Sequence, residues 1–204
     1  MRKIDTIIFD LGGVLIDWNP RYLYRTIFDT EADVEGFIRD VVTMDWNEEQ
    51  DGGRSIEEAN KILVAQFPQW ESEIKAFYAR WEEMLGGPIQ ETVDILSDIR
   101  SQGQYRLLAL TNWSAETFPI ALDRYDFLQW FEGILVSGVE KLKKPDPKIY
   151  QLLIDRYNCN PEHCIFIDDN RRNVDAAMAE GIDTHHFVSP KLLSDYLQQI
   201  GVLT

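Results

Sequence analysis

The sequence predicts an α/β protein whose core is a parallel β-sheet, with a helical segment inserted after the first strand. Five short apolar runs indicate strands buried on both faces, and they cover residues 6–9, 106–110, 133–136, 164–167 and 184–188. Helical patterns of apolar residues precede the second run and follow the third and fourth. Such an alternation of strands and helices is typical of a parallel sheet with helices on both faces.

Two helix boundaries in the second half of the chain are marked by residue type. Asp146 is expected to cap the helix that follows the third strand, because Pro147 suits the first helical position. Gly181 is expected to end the helix that follows the fourth strand.

The segment from about residue 20 to residue 86 contains helical periodicity and no convincing strand. Ser55 and Glu58 have the spacing of a capping box at the start of one of its helices. Residues 46–55, WNEEQDGGRS, are expected to join two helices. We therefore predict a core formed by residues 1–17 and 87–204, with a helical cap of residues 18–86 placed over the end of the first strand.

Composition limits the class of protein. A chain of 204 residues with 45% hydrophobic content can bury a substantial core. Its formal net charge of -15 disfavours nucleic acids and anionic membranes as partners. Without a signal-peptide pattern or an apolar run near 20 residues, a cytoplasmic location is expected. Cys159 and Cys164 are expected to be free thiols, and nothing predicts an oligomeric state.

Polar side chains follow four of the predicted strands at their carboxyl ends, where open α/β sheets bind ligands. They are Asp10, Thr111-Asn112, Lys144 and Asp168-Asp169-Asn170. Ser114 is expected to cap the next helix and direct its N–H groups toward an anion. Each group alone is common in turns and caps, but their repetition at successive strand ends favours one shared site. An acidic protein acting on a phosphorylated substrate would need a cation or a local basic patch at its site.

Four motifs occur in order along the chain, namely FDLGGVL, LTNWS, KKPDPKIY and FIDDNRRNVDAA, with the helical insert after the first. Together they resemble the motifs of the haloacid dehalogenase-like (HAD) hydrolase superfamily, in its branch with a helical cap. The resemblance covers essentially the whole chain and implies a Rossmann-like core. The opening DLGxV is similar to that of small sugar phosphatases of the glucose-1-phosphatase type.

The resemblance implies a magnesium-dependent phosphatase acting on a small phosphorylated metabolite, such as a sugar phosphate. Asp10 would attack phosphorus and form an aspartyl-phosphate. Mg²⁺ would be bound by Asp10, the backbone carbonyl of Gly12 and Asp169, with Asp168 binding directly or through water.

The phosphoryl group has its own set of expected partners. Thr111 and the backbone of Asn112 would hydrogen-bond its oxygens, while Lys144 would balance the charge of Asp10 and the phosphate. The metal and Lys144 would thus offset the acidic character of the chain at this point.

Gly12 departs from the pattern, since phosphatases of the superfamily usually have a second Asp there as general acid and base. The loss of a proton donor can cost about 10²- to 10⁴-fold in rate, although less for a good leaving group. Asp17 is a candidate substitute, and its alternative role is that of a surface turn residue.

The cap is expected to select the substrate. Trp46 and Glu49 are candidate contacts to a sugar, the alternatives being a buried helix residue and a solvated acid. His185 and His186 are adjacent strand residues that point to opposite faces, so a structural role is expected for both.

Two other functions remain open at this point. A 2-haloacid dehalogenase would share the Asp nucleophile but work without metal, and Asp168-Asp169 argue against it because related dehalogenases have serines there. A catalytically weak binding or regulatory protein would explain the absence of the second Asp. Phosphatase assays with and without magnesium distinguish these alternatives.

Overall fold

A computed structural model describes residues 3–203. Its strands are β1 (Thr6–Phe9), β2 (Ile16–Trp18), β3 (Leu85–Pro88), β4 (Arg106–Thr111), β5 (Gly133–Val136), β6 (Cys164–Asp168) and β7 (Asp183–His186). Its α-helices are α1 (Pro20–Tyr24), α2 (Glu31–Asp40), α3 (Met44–Asp51), α4 (Ile56–Gln66), α5 (Glu71–Ala79), α6 (Gln90–Gln102), α7 (Phe118–Arg124), α8 (Ser137–Glu140), α9 (Pro147–Tyr157), α10 (Arg171–Ala179) and α11 (Pro190–Gln199).

The main sheet has five parallel strands in the order β5-β4-β1-β6-β7. β1 lies at its centre, where Phe9 is in register with Ala109 of β4 and Ile167 of β6. Because β4, β1 and β6 are adjacent and parallel, their carboxyl ends lie at the same edge of the sheet. The residues that follow the three strands therefore lie close together. The predicted α/β class is confirmed, and the predicted strands agree with the observed ones except for small shifts at their ends.

Apolar residues fill both faces of the sheet. Ile7 and Phe9 belong to the larger core cluster, whereas Ile8 belongs to the smaller one on the opposite face. Successive strand residues point to opposite faces, so a strand covered on both sides is apolar throughout. This explains the uninterrupted apolar run of β1.

Helices α1 to α5 lie between β2 and β3, and these two strands form an antiparallel pair. The sequence did not predict this pair. β2 has three residues and β3 contains Gly86, Gly87 and Pro88, so neither has a strand pattern that can be recognised. The pairing of Asp17 with Gly87 joins residues far apart in sequence.

The prediction that residues 46–55 connect two helices is wrong for residues 46–51, which belong to helix α3. Thr43 caps this helix, since its hydroxyl accepts a hydrogen bond from the Trp46 N–H at 3.1 Å. Only Met44 and Trp46 of its eight residues are apolar, so the amphipathic pattern on which helix prediction depends is absent.

Helix ends are partly as expected. Asp146 accepts a hydrogen bond from the Lys148 N–H at 3.0 Å, and Gly181, with φ of 83°, follows α10. The prediction for Ser114 was wrong, because its hydroxyl accepts from the Glu116 N–H at 3.2 Å in a turn, and α7 begins only at Phe118.

Both cysteines are free thiols, as predicted. Within residues 3–203, every helix is too short or too polar to cross a membrane.

Candidate active site

Lys144 lies at the centre of a buried group of charges. Its ammonium Nζ is 2.9 Å from Asp10 Oδ2 and 2.7 Å from Asp168 Oδ2, and it donates to the carbonyl of Leu110 at 2.9 Å. The side chains of Lys144 and Asp168 are completely buried. Three partners, which belong to β4 and β6 or directly follow β1, therefore fix the position of one amine.

Backbone hydrogen bonds place the groups around Lys144. The Asp10 N–H donates to the carbonyl of Ile167 at 2.8 Å, and the Asp10 carboxylate accepts from the Leu11 N–H at 2.7 Å. Asn112 holds the loop that carries Lys144, because its side-chain amide exchanges two hydrogen bonds with the Lys144 backbone, at 2.8 and 2.9 Å.

Asp168 and its neighbour Asp169 differ in their surroundings. Both oxygens of Asp168 already accept hydrogen bonds, from the Asn170 N–H at 2.7 Å, from the Asn173 amide at 3.1 Å and from Lys144. Asp169 is held through its backbone, whose carbonyl lies 2.9 Å from Nε2 of His186. Asp168 is thus part of a complete hydrogen-bond network that orients Lys144.

Charge is unbalanced in this cluster. Burial raises the pKa of the Asp10 carboxyl, and Asp168 and Asp169 add to this effect against the opposing influence of Lys144. Burial alone would lower the pKa of Lys144, but Asp10 and Asp168 outweigh it and raise that pKa. One ammonium thus faces three carboxyl groups, which favours an additional cation.

The three carboxyl groups also have the geometry of a metal site. Asp10, Asp168 and Asp169 each place one oxygen within 4.8 Å of the others. Hard divalent cations such as Mg²⁺ prefer oxygen ligands of this kind. The residues present therefore fit a divalent metal ion.

Thr111 ends β4 with a buried hydroxyl. Its Oγ1 has no hydrogen-bond partner among residues 3–203, and the residue is only 1% exposed. An unpaired buried hydroxyl is costly, and a hydrogen bond from this atom to a ligand would break none within residues 3–203. Thr111 itself does not line the cavity beside Asp10.

A cavity of about 270 Å³ extends from Asp10 to the helices between β2 and β3. On the core side it is lined by Asp10, Gly12, Gly13, Asn112, Asp169 and Asn170. Four residues of α3 line the other side, namely Met44, Asn47, Glu48 and Asp51. Their spacing of i, i+3, i+4 and i+7 places them on one face of the helix.

Aromatic rings form a third part of the wall. Trp18, Tyr78, Trp81 and Trp113 line the cavity, and the rings of Trp81 and Trp113 are 5.3 Å apart. A bound molecule would thus contact carboxyl and amide groups as well as aromatic rings.

Trp46 and Glu49 lie outside the lining of this cavity. The Trp46 ring packs against Phe77 and Tyr78 at 5.2 and 5.6 Å, and its Nε1 donates to the Ala59 carbonyl at 3.4 Å. Glu49 is exposed and lies 3.8 Å from Lys143. Because the helix turns by about 100° per residue, their neighbours Asn47, Glu48 and Asp51 face the cavity instead.

The remaining candidates are also placed away from it. The Asp17 carboxylate accepts a hydrogen bond from the Tyr22 hydroxyl at 2.6 Å, and Asp17 does not line the cavity. His185 stacks on Tyr196 with ring centroids 4.6 Å apart, whereas His186 contacts the Asp169 backbone. The two histidines thus have separate structural contacts.

Sequence reasoning named Glu49 rather than Glu48 or Asp51 as the acid facing the substrate, and it missed the tryptophans of the wall. The signal for Glu48 and Asp51 was their spacing on α3, which becomes visible only once residues 44–51 are known to be helical. The tryptophans come from three separate parts of the chain, so only the fold brings them together.

Two relatives match almost the full length of the chain. A sesquiterpene phosphatase of Aspergillus oryzae is 27% identical over 193 residues, covering 95% of this chain and 94% of that protein. A phosphorylated carbohydrates phosphatase of Thermotoga maritima is 26% identical over 188 residues, covering 88% and 83%. Both relatives are named as phosphatases, but for different organic groups.

Solved structures show the same fold. A predicted HAD-like family hydrolase from Porphyromonas gingivalis superposes with a TM-score of 0.72 at 23% identity, covering 97% of each chain. A HAD family enzyme from Bacteroides thetaiotaomicron, solved with magnesium and inorganic phosphate, gives a TM-score of 0.69 at 22% identity, covering 89% of this chain and 93% of that one. The family model for haloacid dehalogenase-like hydrolases matches residues 4–183. The chain therefore belongs to the haloacid dehalogenase-like hydrolases and is a hydrolase of the phosphatase type.

Proposed function

We propose that this protein is a magnesium-dependent phosphatase that hydrolyses a small phosphorylated metabolite through an aspartyl-phosphate on Asp10. The observation that carries the proposal is the meeting of Asp10, Lys144, Asp168 and Asp169 at one end of the cavity. This set combines a nucleophile, a fixed positive charge and carboxylate ligands for a metal.

Asp10 attacks phosphorus while the bond to the leaving oxygen breaks on the opposite side. Lys144 stabilises the charge on Asp10 and on the phosphoryl oxygens, and its three partners hold it in place. Asp10, the Gly12 carbonyl, Asp169 and, directly or through water, Asp168 would hold Mg²⁺. When bound, the metal supplies positive charge to the phosphoryl oxygens.

The phosphoryl group is also held from β4. The unpaired Oγ1 of Thr111 supports a hydrogen bond to a phosphoryl oxygen. The side chain of Asn112 is occupied by the Lys144 backbone, so in this proposal Asn112 contributes its backbone N–H. Two residues from one strand end thereby orient the phosphate toward Asp10.

The organic part of the substrate faces the aromatic wall. A cavity of about 270 Å³ is small for a ligand site, since such sites commonly measure about 300–1,000 Å³. Trp81 and Trp113 offer flat apolar surfaces, which suit either the face of a sugar ring or a hydrocarbon group. The relatives that act on carbohydrate and on sesquiterpene phosphates have substrates of these two kinds.

We further propose that residues 18–86 act as the cap that covers the site. This division is supported by the cavity lining, because α3 and Tyr78 of α5 close the side opposite Asp10. The cytoplasmic location expected from the sequence stays a prediction.

Phosphate release from a substrate panel tests the proposal. Hexose 1-phosphates, hexose 6-phosphates and prenyl phosphates are assayed with Mg²⁺ and with excess chelator. We expect turnover only with metal and none with Asp10→Asn, while Asp45→Asn, on the exposed start of α3, retains activity. Metal-independent halide release from a 2-haloacid would support the dehalogenase alternative. Absence of any turnover would support a binding protein.

A further inference from the structure

The proposed reaction needs a proton donor that position 12 cannot supply. A leaving alkoxide must be protonated, and the attacking water of the second step must lose a proton. Gly12 has no side chain, and the Asp17 carboxylate is hydrogen-bonded to Tyr22 outside the cavity lining. The remaining candidate donors are the other carboxyl groups that line the cavity.

Two carboxyl groups line the cavity from α3, and they differ in their partners. Glu48 lies 3.3 Å from Lys143 and 3.9 Å from Arg172. Its ion pair with Lys143 joins α3 to the loop before α9. The Glu48 carboxylate therefore already has two cationic partners at ion-pair distance.

Asp51 is the last residue of α3 and lines the cavity from the same helix face as Glu48. It is half-buried and lines the cavity together with Asp10 and with Ser114, which follows β4. The groups facing it are Glu48, Tyr78, Lys143 and Lys144. Asp51 therefore lies where the cap helix meets the strand end that holds the phosphate.

The surroundings of Asp51 also suit proton transfer. Burial raises the pKa of Asp51 to about 7, with Lys143 opposing and Glu48 adding to the shift. A general acid and base works best when its pKa lies near the working pH. Asp51 can thus hold a proton in one step and accept one in the next.

We propose that Asp51 is the general acid and base of the phosphatase reaction, supplied by cap helix α3 in place of a carboxylate at position 12. This inference rests on the proposed function. It assigns a catalytic role to a residue that the motifs do not contain.

Asp10 forms a bond to phosphorus, the bond from phosphorus to the leaving oxygen breaks, and protonated Asp51 gives its proton to that oxygen to form the alcohol. Water then attacks phosphorus, its proton passes to the Asp51 carboxylate, and the bond between phosphorus and Asp10 breaks. The products are the alcohol and inorganic phosphate, with Asp10 free and Asp51 protonated again.

The test compares a leaving group that needs no proton with one that does. Single-turnover rates of enzyme phosphorylation are measured with 4-nitrophenyl phosphate and butyl phosphate, for wild type and Asp51→Asn. We expect a loss of about 10²- to 10⁴-fold with butyl phosphate and little change with 4-nitrophenyl phosphate. Asp45→Asn, on the exposed start of the same helix, should leave both rates unchanged. Equal losses for both substrates in Asp51→Asn would overturn the inference.

A double variant distinguishes proton transfer from binding. Gly12→Asp should restore the butyl phosphate rate of Asp51→Asn, since a Cβ at Gly12 meets no atom within 4 Å and the backbone there is outside the left-handed region. A double variant as slow as Asp51→Asn would count against proton transfer. Failure of wild type with 4-nitrophenyl phosphate in Mg²⁺ would instead contradict the phosphatase proposal itself.

Wild-type enzyme offers a test that does not depend on a folded variant. The ratio of the butyl to the 4-nitrophenyl rate should fall as pH rises through about 7, where Asp51 loses its proton. Ionisation of the phosphate group affects both substrates and largely cancels in the ratio. A ratio that is constant from pH 5 to about pH 9 would overturn the role of Asp51.

Discussion

Gly13 and Asp169 are in such close contact that position 13 has no room for a side chain. A Cβ built on Gly13 would lie 2.4 Å from Oδ2 of Asp169 and 2.8 Å from its carboxyl carbon. Gly13 also has φ of 74°, in the left-handed region that favours glycine. The turn after β1 and the carboxylate after β6 therefore fit each other only with glycine at this position.

Gly13→Ala should displace the Asp169 carboxylate and weaken metal binding. The left-handed backbone alone should lower the free energy of unfolding by about 1–2 kcal/mol. The measurements are urea unfolding and the Mg²⁺ concentration for half-maximal phosphate release. Gly12→Ala is the matched control for stability, because its Cβ has open space. An unchanged magnesium requirement in Gly13→Ala would contradict the role of this contact.

The sequence predicted β1, β4, β5 and β6 because each is largely a short apolar run, whereas the edge strand β7 is polar and half-buried. Once β1, β4 and β6 are adjacent, Asp10, Asn112 and Asp168 must meet at one edge. The opposite wall could not be predicted in this way. Helix α3 has too few apolar residues to show a period, and the β2–β3 pair depends on contacts such as Asp17 with Gly87.

Thr111→Val should leave stability unchanged or raise it, because the hydroxyl it removes has no partner within residues 3–203. Burial of an unpaired hydroxyl costs about 1–3 kcal/mol in proteins. Binding of inorganic phosphate, measured by competitive inhibition, should become weaker. Thr6→Val is the matched control, since Thr6 is equally buried but donates to Asp5 at 2.8 Å and should lose stability. A less stable Thr111→Val with normal phosphate inhibition would argue against a phosphate contact.

Trp46 should prove to be a structural residue of the cap. Its ring packs against Phe77 and Tyr78, so Trp46→Ala should lower the free energy of unfolding by about 3–5 kcal/mol. Trp46→Phe keeps most of this packing and should retain the KM of wild type. Denaturant unfolding and steady-state kinetics test both statements. A raised KM in a stable Trp46→Phe would restore the original prediction of a substrate contact.

Asp51 should make the free energy of unfolding depend on pH between its pKa in the unfolded chain and its pKa in the folded protein. Burial raises the pKa of Asp51 in the folded protein to about 7, against about 3.9 in the unfolded chain. Between these values the folded state binds the proton more tightly, so the contribution of Asp51 to stability is greatest at low pH and is lost as pH rises through about 7. The slope is at most about 1.4 kcal/mol per pH unit.

The free energy of unfolding of wild type minus that of Asp51→Asn isolates this contribution, because all other titrating groups are common to both proteins. Measured by urea unfolding in the presence of chelator, the difference should fall as pH rises toward about 7 and become constant above it. Glu49→Gln, which removes an exposed carboxylate from the same helix, is the matched control. A difference that rises with pH would mean that Asp51 is stabilised as a carboxylate in the folded protein, and its assignment as a proton donor would then be wrong.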